Sequence, residues 1–141
     1  MKTPVEKQVG TGTINYPDGS VYEGDFVLGK VHGQGKLSQK DGMTYVGEFV
    51  DGLRHGNCRL HLQNGSTIEG EYKEDYLNGP CVETYPDGTR IEGSYVEDLK
   101  EGEWITNQAD GTRVEETYKA DERVGKQITT HPDGTKKEKT F

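Results

Sequence analysis

The chain has 141 residues and a net charge of −8, with 30% of residues charged, 29% hydrophobic and a mean hydropathy of −0.94. No stretch approaches the roughly 20 apolar residues of a membrane span, and the N-terminus lacks the apolar run of a signal peptide, so the expected address is cytoplasmic. The acidic excess lies C-terminally, where residues 61–141 hold ten basic and eighteen acidic groups; nucleic acid and anionic lipid, which are bound by clustered Lys and Arg, are disfavoured.

Such a composition by itself points to disorder, and a repeat overturns that reading. Residues 1–8 carry no repeat landmark and are expected to form a lead-in open to fraying. From residue 9 to residue 141 the chain is one array: a half unit, five full units and a terminal half hairpin serving as a cap. Gly10-Thr11-Gly12-Thr13-Ile14-Asn15-Tyr16 alternates small and polar residues and predicts a strand. Tyr16-Pro17-Asp18-Gly19 follows, with Pro to pre-set φ, Asp to hydrogen-bond its own backbone and Gly to take positive φ, as a tight hairpin requires. The tip recurs every 23 residues as Gly19, Gly42, Gly65, Gly88, Gly111 and Gly134, preceded by Asp18, Asp41, Asn64, Asp87, Asp110 and Asp133. A fixed period of this size marks a stacked or meandering architecture that buries surface between neighbouring units and needs no single large core.

The next segment, Ser20 to Val27, must run antiparallel, and it alternates with period two: Tyr22, Gly24 and Phe26 point one way, Val21, Glu23 and Asp25 the other. A second, looser reversal from Val27 to His32 leads to the return strand from Gly33 to Leu37, opened by a second glycine column, Gly10, Gly33, Gly56, Gly79, Gly102 and Gly125. The expected fold is all-β, a single-layer antiparallel β-meander of hairpin repeats with about twelve short strands. The return strands change midway. Their apolar residue stands four places after the glycine in Ile14, Leu37 and Leu60, but three places after it in Val82, Ile105 and Ile128. Either it moves to the opposite face or a bulge restores the face; both remain open at this point. The final hairpin is rich in Lys (Lys126, Lys136, Lys137, Lys139), as suits a cap that blunts edge pairing.

Tyr22-Glu23-Gly24-Asp25-Phe26, His32-Gly33-Gln34-Gly35 and Tyr45-Val46-Gly47-Glu48-Phe49 with Arg54-His55-Gly56 resemble the MORN repeat (membrane occupation and recognition nexus), closely from Gly10 to about Gly102 and more weakly beyond. The resemblance implies an elongated, twisted sheet with one hairpin per repeat, in scaffolds or in targeting modules attached to enzymes such as lipid kinases and methyltransferases. This chain has room for none of those catalytic domains.

The residues themselves hold little chemistry. Cys58 and Cys81 share a repeat position, so one strand separates them; about 9–10 Å exceeds the roughly 4.4–6.8 Å Cα separation of a disulfide, and two free thiols are expected. His55 and His61 have strand parity opposite to Cys58, so no metal site is expected. No cofactor motif is present. The carboxylate column of Glu23, Glu69, Glu92, Glu115 and Glu138 occurs in nearly every unit and reads as a solvated face, since a catalytic pair needs one asymmetric pocket. The aromatic stripe stands out: Tyr22, Phe26, Tyr45, Phe49, Tyr72, Tyr95 and Tyr118 share one face of an open sheet. These rings pack as repeat core, and they exceed what glycines alone can hide. The expectation is a non-catalytic scaffold holding a protein or peptide segment in an aromatic groove, with apolar anchors and basic flanks on the partner and with Glu92 and Glu97 steering its approach. The alternatives are a membrane-tethering or phospholipid-binding module and the targeting fragment of a longer enzyme.

Overall fold

The computed structural model describes residues 9–141, and the lead-in of residues 1–8 lies outside them. All regular structure among the described residues is β. The strands are β1 (Val9–Asn15), β2 (Val21–Val27), β3 (Lys30–Ser38), β4 (Thr44–Val50), β5 (Leu53–His61), β6 (Thr67–Lys73), the two-residue β7 (Tyr76–Leu77), β8 (Gly79–Thr84), β9 (Arg90–Val96), β10 (Leu99–Asn107), β11 (Arg113–Lys119), β12 (Glu122–Thr130) and β13 (Lys136–Thr140). They form one antiparallel sheet in chain order, with β7 beside β6. No described helix is long and apolar enough to cross a membrane.

The tips form as their chemistry requires. Tyr16 N–H donates to the Ser20 carbonyl (2.9 Å), Gly19 N–H donates to the Tyr16 carbonyl (3.0 Å), and Asp18 Oδ1 accepts from the Ser20 N–H (2.8 Å) and hydroxyl (2.6 Å). The same Asx bond recurs at Asp41, Asn64, Asp87, Asp110 and Asp133. These local bonds hold each hairpin across its tip in straight register, as in Ile14↔Tyr22 and Leu37↔Tyr45.

The looser reversals are built differently. Across them the register shifts by two residues, from Gly24↔Gly35 to Phe26↔Val31 and from Gly47↔Cys58 to Glu48↔His55. The extra residues sit at the second glycine column, where Gly33 takes φ of 93° and Gly56 takes 69°; an even-numbered bulge bends the return strand without exchanging its faces. The third unit's return strand is split at Asn78 into β7 and β8, and Pro80, which has no N–H to give a ladder, is the second residue of β8.

The apolar residue does change face. Gly79↔Tyr95 and Val82↔Glu92 share one straight register, so no bulge intervenes, and Val82 pairs with Glu69 and Glu92 on the outer face. Ile105 and Ile128 follow it, between Glu92 and Glu115 and between Glu115 and Glu138. The inner face then needs another filler. In units one and two the rings of Tyr22 and Tyr45 lie over the glycine row, Tyr22 against Gly35 and Tyr45 against Gly47, and their hydroxyls donate to the carbonyls of Asp25 and Glu48. Where that ring becomes Ile91, the return strand supplies Trp104 instead, 4% exposed and lying over Gly93.

Candidate protein-binding face

The seven stripe residues share the inner face, six of them in two clusters and Phe26 apart from both, beside Gly12. Tyr22, Phe49, Tyr45 and Tyr72 meet edge to face at centroid separations of 5.2, 5.0 and 5.4 Å, each contact of a kind that contributes about 0.5–1.5 kcal/mol. All four are buried, from 0% exposed at Tyr22 to 6% at Tyr72. Burial pushes the phenols of Tyr22 and Tyr72 up to about 12, and that of Tyr45 higher. Phe26, Tyr95 and Tyr118 are only half-buried. The stripe therefore has a floor of four rings and a rim of three. Cys58 and Cys81 are free, buried thiols on the same face, with pKa values raised by burial to about 11.

Sequence reasoning missed the second cluster's centre and the cations between the rings. Trp104 meets Tyr95 at 5.1 Å and Tyr118 at 6.1 Å. Its buried Nε1–H has no partner among the described residues, a cost of about 1–3 kcal/mol. The signal was present: the chain's one Trp occupies the glycine position opposite the unit whose first ring is Ile91. The cations stand two residues before the second glycine column, at Arg54, Lys100 and Arg123. Arg54 lies 4.5 Å from the Tyr72 centroid and 5.9 Å from that of Tyr45, and donates to Asp75 Oδ1 at 2.7 Å. The Lys100 ammonium lies over Trp104 (4.8 Å) and Tyr118 (4.9 Å), and Arg123 over Phe141 (4.4 Å).

The two predicted steering carboxylates are not brought together. Glu97 sits exposed in the loop between β9 and β10, at the rim of the sheet. Glu92 points from the outer face and accepts from Arg90 Nε at 2.6 Å. The outer face largely pairs its own charges: Arg59 with Glu69 at 2.6 Å, Arg113 with Glu115 at 3.3 Å, Lys126 with Glu138 at 3.5 Å. A shallow hollow there, about 560 Å³ and lined by Val46, Arg59, Glu69 and Val82, is walled by one such pair. No group of three or more His, Cys, Asp or Glu residues that could hold a metal forms among the described residues. His55 and His61 are exposed whereas Cys58 is buried.

An open antiparallel sheet of tip-and-bulge hairpin units, ringed on one face and charge-paired on the other, is the architecture of a repeat-array protein. The family model described as MORN repeat matches residues 22–44, 45–67 and 69–90; the chain carries three MORN repeats there. No curated protein sequence matches it. Among solved structures the chain is similar to the SAS-4 (dCPAP) TCP domain of Drosophila melanogaster, in complex with a proline rich motif of Ana2 (dSTIL). The identity is 14% and the TM-score 0.51, covering 94% of this chain and 84% of that one. The likeness is one of fold. Matches also cover the G-box domain of the microcephaly protein CPAP (15% identity, TM-score 0.41, 93% of this chain and 86% of that one). The TCP10 domain of Danio rerio CPAP, in complex with a peptide of Danio rerio STIL, matches at 18% identity and a TM-score of 0.25, over 93% of this chain and 79% of that one.

Proposed function

We propose that this MORN array is a non-catalytic cytoplasmic scaffold that holds a protein segment along its aromatic inner face. The observation that carries this reading is the ring stripe itself: four rings form a rigid floor, while Phe26, Tyr95 and Tyr118 stay partly open on a face that no second layer covers among the described residues. Partly buried aromatics on a preformed support are what interfaces use as anchors. A domain of the same fold, from Drosophila, is solved in complex with a proline rich motif, which supports a peptide as the occupant. The partner segment carries apolar anchors for the rings and basic flanks for the rim, where Asp75, Glu97, Asp98 and Asp121 stand. Two free thiols suit a reducing compartment.

The test begins with affinity capture on the native array, identification of the retained protein and re-binding of its purified segment. Tyr118→Ala and Tyr95→Ala should weaken the purified segment by raising its off-rate at any salt, by about 2 kcal/mol for a true anchor. Tyr72→Ala is unsuitable, because that ring is core. Sedimentation of the array with anionic vesicles at low salt, with no segment bound by the aromatic face, would overturn the reading in favour of a lipid-binding module.

A further inference from the structure

Exposed apolar side chains are not scattered over this sheet. Of the nine large ones exposed among the described residues, six (Val27, Leu28, Leu53, Tyr76, Val96 and Leu99) lie in the looser reversals, at 37–57% exposure. Each of these reversals closes on a cross-strand pair: Val27↔Lys30, Val50↔Leu53, Lys73↔Tyr76 and Val96↔Leu99. Val27 has the strand parity of Glu23 and Asp25, and Val96 that of Glu92, so the pairs point to the outer face. They form an apolar ridge along one margin of that face, on the other side of the sheet from the rings, and it ends at the fifth reversal, where the pair is Lys119↔Glu122. A contiguous apolar strip rimmed by charge marks a docking site. We infer that this ridge is a second docking surface, separate from the aromatic inner face, and that its occupant is a basic amphipathic helix of a partner protein.

Backbone accounting selects a helix. The reversals offer no open ladder: Asp75, Asp98 and Asp121 give their N–H groups to the carbonyls of Arg54, Leu77 and Lys100, and Gly52 gives its own to that of Val31. An extended segment laid on the ridge would bring unpaired N–H and C=O groups against apolar side chains, whereas a helix arrives with its backbone bonds made. The spacing agrees. Successive units lie two strand spacings apart, about 9–10 Å, and seven residues of helix advance about 10.5 Å, so helix residues seven apart meet Leu53, Tyr76 and Leu99 in turn. Charge sets the flank. Reversals 50–53, 73–76 and 96–99 hold five carboxylates against one cation, Lys73, and Asp51, Glu74, Glu97 and Asp98 are exposed beside the ridge. An acidic margin repels a second copy of this acidic chain and an anionic bilayer, and it attracts Lys and Arg beside an apolar stripe.

The probe is a helical peptide of about 18 residues, with leucines in one stripe and lysines along its flanks, titrated while the Leu53 and Leu99 methyl signals are followed by NMR. Both methyls should shift saturably. Tyr76→Ser and Leu99→Ser, at exposed positions, should each weaken the peptide about fivefold or more, read at Leu53. Asp51→Asn combined with Glu74→Gln should weaken it about two- to fivefold at low salt and little at high salt, and Tyr118→Ala, on the other face, should leave it unchanged. Equally tight binding by a peptide with glutamate in place of lysine, or by a scrambled one with leucines all round, would overturn the inference. So would the absence of a saturable shift, or binding undiminished when Tyr76→Ser and Leu99→Ser are combined. Loss of binding in Tyr118→Ala would assign the helix to the inner face instead. Broadening of the same signals by self-association, or by zwitterionic vesicles added without peptide, would give the ridge to a second copy or to a membrane and overturn the helix.

Discussion

Gly47 shows how tightly the repeat is built at the level of single residues. A Cβ there would stand 2.8 Å from the Tyr45 hydroxyl and 3.0 Å from Cys58 Cβ and the Asn57 carbonyl. Gly47→Val should therefore destabilise the array by about 2 kcal/mol or more through overpacking. Glu69→Gln, which loses only the exposed pair with Arg59, should stay within about 1 kcal/mol; urea midpoints compare the two. The alternation of ring and glycine made this legible in the sequence. Trp104 and the cation column were not legible, because their meaning depends on which residue lies across the strand, and a two-residue register shift hides that. The buried phenols and thiols also set an alkaline limit. Their folded pKa values are raised, so their contribution is intact below the unfolded values of about 9 for Cys and 10 for Tyr. It is lost as pH climbs through about 11 for Cys58 and Cys81 and about 12 for Tyr22 and Tyr72. The urea midpoint should thus fall steadily from pH 9 upward, and a flat profile to pH 11 would contradict the packing described.

Between elements, the looser reversals carry a clasp that repeats down one edge. Asp75, Asp98 and Asp121, at φ of 73°, 69° and 73°, each donate a backbone N–H to the carbonyl of the residue 21 positions earlier, namely Arg54, Leu77 and Lys100. Each also accepts that residue's N–H on its carboxylate, at 3.2, 2.7 and 3.3 Å. Aspartate suits a turn by residue type, but the bonds to the preceding unit were not readable, since nothing local in the chain announces a contact 21 residues away. Asp98→Ala should speed hydrogen exchange at the Leu77 amide by roughly five- to tenfold, the loss of one hydrogen bond of about 1 kcal/mol. Asp98→Asn, which keeps an acceptor and tolerates positive φ, should leave that rate near the native one. Equal rates in the two variants would show that the clasp adds nothing.

Across the whole molecule the sheet has two unlike faces, and the switch of Val82, Ile105 and Ile128 to the outer one sharpens the question of which face binds. The change in spacing was visible in the sequence; its outcome was not, because face change and bulge differ only in the backbone. Charge gives a first discrimination. Glu97→Lys, at the rim, should slow association of a basic-flanked segment at low salt more than Glu92→Lys, whose native carboxylate is already held by Arg90 on the far side. The most direct measurement is hydroxyl-radical footprinting of the array with and without its purified partner segment. Binding on the inner face predicts protection of Tyr16, Phe26, Tyr95 and Tyr118, with Val46, Ile105 and Ile128 unchanged. Protection of Val46, Ile105 and Ile128 with the ring residues left open would contradict it, and would reassign the rings to core alone.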